Sequence, residues 1–194
     1  PAIALVVGLE RAAQQAGHAV TLIAGPTALT PPQGVSLVKV TTAQEMYDTV
    51  IAALPSAQVA VFAAAVADWR VLNAATSKVK KDGTGQAPAL QFAENPDILA
   101  TICRGDMRPK LVVGFAAETD DVLAHARAKR LRKGCDWIVA NDVSGDVMGG
   151  ANNAFHIVTK DGVDSWPESA KDVIARREKM AADKIAAAER TAVD

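Results

Sequence analysis

Residues 61–81 read V-F-A-A-A-V-A-D-W-R-V-L-N-A-A-T-S-K-V-K-K, and the change of character inside them decides the fold class. The apolar run from Val59 to Val66 has the composition of a buried parallel strand, and it ends in Asp68-Trp69-Arg70. Lys78, Lys80 and Lys81 follow in the pattern K-x-K-K. A strand that hands polar residues to a basic loop at its C-terminal end is how an open α/β sheet builds an anion site. The spacing therefore predicts a Rossmann-like, doubly wound α/β fold, mainly parallel, with helices on both faces.

Upstream, Ala2–Val7 reads as a strand, Leu9–Ala16 as a helix closed by Gly17, and His18–Ala24 as the next strand. Gly8 is the only glycine between that first strand and helix. A dinucleotide fingerprint needs three glycines, for the turn, for pyrophosphate approach and for packing. Strand-to-helix connections take ~2–6 residues, so a phosphate-binding loop is expected to be missing between Gly8 and Leu9. Val35–Val40 is a strand. Thr42 and Glu45 form a capping box for a helix whose Met46, Val50 and Leu54 share a face before Pro55.

Downstream, Lys81–Gly85 is glycine-rich and Gln86–Ala93 has weak strand character. Asn95 is expected to cap a helix with Pro96 in its first turn, and Ile98, Leu99 and Ile102 supply its buried face. Lys110–Phe115 is a strand whose Gly114 suits close backbone approach to a ligand. Thr119 is expected to cap a helix that begins at Asp120-Asp121 and closes at Gly134. Lys129 and Lys133 lie four apart on it and share a face. Trp137–Ala140 is a strand, and Asp161-Gly162 marks a C-terminal hairpin between Asn152–Thr159 and Val163–Trp166. A long helix over 168–189 ends a chain read as one domain, 1–194.

With 49 % hydrophobic residues the 194-residue chain can bury a substantial core. Its 21 basic and 22 acidic side chains exert no general pull on nucleic acid or anionic membrane, so phosphate attraction has to be local. Cys103 and Cys135 are too few for a disulfide framework, and His18, His125 and His156 are scattered, which leaves no metal-ligand pattern. No apolar run reaches the ~18–20 residues of a membrane span and no leader pattern opens the chain, so the cytoplasm is the expected address.

Five motifs stand in one order: A-A-V-A-D-W-R (64–70) with K-V-K-K (78–81), N-P-D-I-L (95–99), G-F-A-A-E-T (114–119), K-R-L-R-K (129–133) and A-N-D-V-S (140–144). Together they closely resemble the phosphopantothenoylcysteine synthetase domain of coenzyme A biosynthesis, in its bacterial, CTP-using form. The resemblance implies a ligase that joins 4′-phosphopantothenate to L-cysteine through an acyl-cytidylate, with CTP and Mg²⁺. It implies a CTP site formed by Ala63, Ala64, Asp68, Lys78, Lys81, Pro96, Asp97, Ile98, Leu99, Phe115, Lys129 and Lys133, with Lys78 on a catalytic lid running to Gly85. It also implies a homodimer, with the Asn152–Trp166 hairpin as the candidate edge, and a flavin-dependent decarboxylase as a fused or partner domain. The family's N-x-S-S-G signature, whose asparagine handles the intermediate, is not found in this sequence.

Two rivals fit the same fold class. An NAD(P)-dependent oxidoreductase needs the glycine fingerprint and a proton-handling pair such as Tyr-x-x-x-Lys, but the sole tyrosine, Tyr47, is followed four residues later by Ile51. A non-catalytic nucleotide-binding module is favoured if the phosphate loop is truly absent.

Overall fold

A computed structural model describes residues 11, 13–15, 17–28, 30–74, 85, 89–142 and 155–166. Lys78, Lys81, the Gly8–Leu9 junction and the helix expected over 168–189 lie outside them.

The fold is mixed α/β. Strands β1 (Thr21–Ala24) and β2 (Ser36–Lys39) form a parallel pair. Helix α1 (Ala43–Ala53) then leads through a single 3₁₀ turn into β3 (Val59–Phe62). A short antiparallel ribbon, β4 (Trp69–Val71) with β5 (Phe92–Glu94), precedes α2 (Ile98–Arg104). Next come β6 (Leu111–Glu118), α3 (Val122–Lys133), β7 (Trp137–Asp142), β8 (Phe155–Val158) and β9 (Val163–Trp166). Among the described residues, five strands form one sheet in the order β3-β6-β7-β8-β9. The first three run parallel and the last two, the C-terminal hairpin, antiparallel, so this sheet is mixed. No helix among the described residues is long and apolar enough to cross a membrane.

The core follows the alternation of β6 and β7. Val112, Ala116, Ile138 and Ala140 point to one face, where they meet Ile102 and Cys103 of α2, Ala126 of α3 and Cys135. Asp136 fixes the start of this pairing, because its carboxylate accepts the Val112 amide at 2.7 Å and an Arg108 guanidinium N–H at 2.8 Å. Gly134 ends α3 in the left-handed region, φ 81°, with its N–H donated to the Arg130 carbonyl at 2.8 Å. The capping box of α1 forms: the Thr42 hydroxyl accepts the Glu45 amide, while the Glu45 carboxylate accepts the amide of Thr41.

Several expectations change. The run read as one buried strand to Val66 is strand only to Phe62 and half-buried, because the backbone beyond it is engaged elsewhere. Asn95 donates its side-chain amide to the Ala67 carbonyl at 2.8 Å and its N–H to the Asp68 carbonyl at 2.7 Å. The chain therefore leaves its pairing with β6 and enters the ribbon, where Trp69 starts β4 and strand character downstream is confined to β5. Asn95, so occupied, is not the cap of α2. That place is taken by Asp97, whose carboxylate accepts the Ala100 amide at 3.1 Å, and Pro96 stays outside the helix. Thr119 does not cap α3 either, since its hydroxyl donates to Asp120 and the helix starts at Asp121, in the left-handed region at φ 43° with no side-chain cap. Gly114 serves packing: a Cβ there would lie 2.8 Å from Leu99 Cδ2 and 2.9 Å from Ile138 Cδ1. The apolar side chains of α2 and β7 fill the space that the sequence suggested for a ligand.

Candidate functional site

β3 and β6 are parallel neighbours in register, Val59 opposite Leu111 and Phe62 opposite Gly114. Their carboxyl ends open on the same side, the edge where α/β sheets bind ligands. Two groups of the expected residues leave from this edge. Ala63, Ala64 and Asp68 lie on the connection between β3 and β4. Asp97, Phe115, Lys129 and Lys133 converge where β6, the start of α2 and the second half of α3 meet. Asn95 joins the two groups, because it precedes Asp97 by two residues and holds the backbone of Ala67 and Asp68.

Helix α3 runs back from that edge, a direction that could carry Lys129 and Lys133 away from it. Both turn inward. Lys129 donates from Nζ to the Phe115 carbonyl at 2.8 Å, and Lys133 is paired with the Asp97 carboxylate. The side chain of Lys133 is only 16 % exposed, against 45 % for Asp97, so this is no freely solvated lysine face. A further tie, from the Arg104 guanidinium to the Arg132 carbonyl at 2.6 Å, holds α2 against α3.

The charges are tuned accordingly. Burial lowers the pKa of Lys129 from its ordinary 10.5; Glu118 opposes this, while Lys133 and Arg132 add to it. Burial alone would raise Asp97, but the Lys133 ammonium and the Ala100 amide hold it below its ordinary 3.8. At neutral pH the site combines a half-buried lysine bonded to a neutral carbonyl with a lysine neutralised by a carboxylate. This arrangement can hold a polyanion at Lys129, and it gives Lys133 two exchangeable partners. Ile98 is a core residue and Leu99 is half-buried against Gly114, so the apolar pair contributes packing beneath the site.

Two asparagines were not assigned from sequence. Asn95 carried the signal of a helix cap, which Asp97 supplies. Asn141 stands in the strand W-I-V-A-N-D, where one polar residue closes an apolar run. It is 3 % exposed, and neither polar atom of its side chain has a hydrogen-bond partner. Among the described residues no group of three His, Cys, Asp or Glu side chains is placed to hold a metal.

The family described as DNA/pantothenate metabolism flavoprotein C-terminal domain matches residues 7–186. The chain is similar to a coenzyme A biosynthesis bifunctional protein CoaBC of Mycobacterium bovis, 46 % identical over 162 residues, which cover 78 % of this chain and 37 % of that protein. It is also similar to the protein of the same name from Vibrio cholerae, 39 % identical over 169 residues, 86 % of this chain and 42 % of that one. The chain thus spans about two fifths of the length of the curated relatives it matches. A crystal structure of the C-terminal domain of a coenzyme A biosynthesis bifunctional protein CoaBC superposes with a TM-score of 0.69 at 31 % identity, covering 92 % of this chain and 83 % of that one.

Proposed function

The chain belongs to the DNA/pantothenate metabolism flavoprotein C-terminal domain family, and on that premise we propose that it is the ligase that joins 4′-phosphopantothenate to L-cysteine at the expense of CTP. A carboxylate oxygen of 4′-phosphopantothenate attacks the α-phosphorus of CTP, the bond to pyrophosphate breaks, and an acyl-cytidylate forms. The amine of cysteine then attacks the acyl carbon, loses a proton and displaces CMP. The convergence of Lys129 and Lys133 with Asp97 and Phe115 carries this reading, because half-buried ammonium groups stabilise charge that builds on a phosphate leaving group. Lys78 and Lys81 join them in the proposal, with Lys78 on the leaving group. Ala63, Ala64, Asp68, Pro96, Ile98 and Leu99 complete the nucleotide side through backbone and loop contacts.

Mg²⁺ fits this site without a protein cage, since it keeps water and phosphate oxygens as ligands and draws few from protein. When bound it neutralises phosphate charge. The finer architecture we infer is the doubly wound one, in keeping with the parallel β1–β2 pair and the parallel run β3-β6-β7. The relatives are bifunctional by name, so a flavin-dependent decarboxylase is the proposed companion domain.

Incubating the chain with CTP, 4′-phosphopantothenate and cysteine is expected to release CMP and pyrophosphate in equal amounts with the amide product. CTP binding without pyrophosphate release would support the non-catalytic module instead, a reading that the lack of an N-x-S-S-G segment favours.

For assembly we propose a homodimer. The edge position of β9 in the described sheet leaves a strand for pairing, and Trp69, Leu72, Leu90 and Phe92 on and beside the β4–β5 ribbon are all more than half exposed. Light scattering at working concentration is expected to give twice the 20.2 kDa chain mass. A monomer would refute the dimer.

A further inference from the structure

Helix α3 carries two basic flanks, and the nucleotide reading uses one of them. At about 100° per residue, Lys129 and Lys133 lie on one side of the buried stripe through Ala126, and Arg127, Arg130 and Leu131 lie on the other. The first flank meets β6 and α2 through the Phe115 carbonyl and the Asp97 carboxylate. The second borders a cavity of about 260 Å³ whose far wall is the β8–β9 turn, Thr159 to Gly162. That turn follows Val158, which pairs with Ile138 near the start of β7. The cavity therefore lies at the amino end of β7, away from the edge where the carboxyl ends of β3 and β6 open.

The charge around this cavity is unbalanced. Arg127, Arg130 and Lys160 bring three cations from two elements, against the single carboxylate of Asp161, an excess of two positive charges. Among the described residues no carboxylate, Asp161 included, stands within ion-pair distance of any of the three. Arg130 is half-buried and anchored, since one guanidinium N–H donates to the Cys135 carbonyl at 3.5 Å and the rest of its fork is left for a guest. The turn is closed by its own bonds, from the Thr159 N–H to the Gly162 carbonyl at 2.9 Å and from the Asp161 N–H to the Thr159 hydroxyl at 3.1 Å, so Lys160 is held opposite the helix. Like charges fixed around one concavity repel until an anion joins them, and guanidinium forks match phosphate oxygens two at a time. The volume falls below the ~300–1,000 Å³ of drug-sized ligand pockets, which limits the guest to a phosphate with at most a short organic tail. Leu131, 72 % exposed, gives such a tail an apolar surface. We propose that this cavity is a second anion site, separate from the nucleotide edge, that takes a phosphate dianion, either free or as the end of a small monoester.

The test titrates the full chain with inorganic phosphate and, separately, with glycerol phosphate, at an ionic strength held constant with chloride, and reads calorimetric binding together with the amide NMR shifts of Lys160 and Gly162. Phosphate should move those amides. Arg127→Gln combined with Lys160→Gln should weaken this binding roughly tenfold or more while CTP affinity and the melting midpoint stay as they are. Asp161→Asn should tighten it several-fold, a gain that misfolding cannot produce. Lys129→Met should leave it unchanged, which separates it from phosphate held at the nucleotide edge. Tighter binding of glycerol phosphate than of phosphate supports the site with a monoester as its ligand, and equal or weaker binding supports it with the free ion. Amides that do not move, shifts that chloride alone reproduces, or binding that is lost in Lys129→Met and kept in the double variant would each overturn the proposal.

Discussion

Replacing Lys129 by methionine is expected to weaken CTP binding by about 1–3 kcal/mol, roughly 5- to 150-fold, without loss of fold stability. The apolar part of the side chain is kept, so packing against β6 survives. What goes is a charge that burial already disfavours and that Glu118 offsets only in part. The sign follows from the lowered pKa. Between the folded value and the ordinary 10.5, the unfolded chain holds more protons than the folded one, so wild-type stability rises with pH across that window and the variant lacks this rise. CTP affinity runs the other way, being full while Lys129 is protonated and lost as pH climbs through its lowered pKa.

Lys133→Met should cost less CTP affinity, because the Asp97 carboxylate already neutralises that ammonium, and it should cost more stability, because it strips Asp97 of the partner that holds its pKa down. Calorimetric titration with CTP and a melting curve on each variant separate the two. Unchanged CTP affinity in both would return the lysine pair to a purely structural role in seating α3 against β6 and α2.

The sequence allowed this site to be anticipated in its parts but not in its geometry. Strand β6 and helix α3 were legible from apolar periodicity and from Gly134, and the parallel pairing of β3 with β6 from the fold class they imply. The inward turn of Lys129 was not legible. It depends on the Phe115 carbonyl, a backbone group fourteen residues away that no side-chain pattern announces. The caps failed for a related reason. Asn95, Asp97, Thr119 and Asp121 are all acceptable caps by residue type, and the choice among them was made by tertiary bonds, such as the one from Asn95 to Ala67. The early end of β3 has the same origin, since composition favours strand through Val66 but the Asn95 contacts draw the chain off the sheet. Asn141 was visible only as a polar residue in an apolar strand, and its lack of a partner is a property of three dimensions.

Gly114→Ala is expected to destabilise the fold by about 1–3 kcal/mol, which lowers the melting midpoint by about 2–4 °C for each kcal/mol. The added methyl would stand 2.8 Å from Leu99 Cδ2 and 2.9 Å from Ile138 Cδ1, well inside the ~3.5–4.0 Å at which carbon atoms rest against each other. Ile138 is fully buried, with 0 % exposure, and has no free space to enter. Leu99 is half-buried and gives way first, and its movement carries the first turn of α2, where Asp97 meets Lys133. CTP affinity should therefore drop several-fold although residue 114 touches no nucleotide. Gly25→Ala is the control: its Cβ would approach only Met46 Cε, at 4.0 Å, so the change should stay within about ±0.5 kcal/mol. Equal melting midpoints for the two variants would mean that α2 is not held against the sheet by Leu99, and the link from strand packing to the Asp97–Lys133 pair would fail with it.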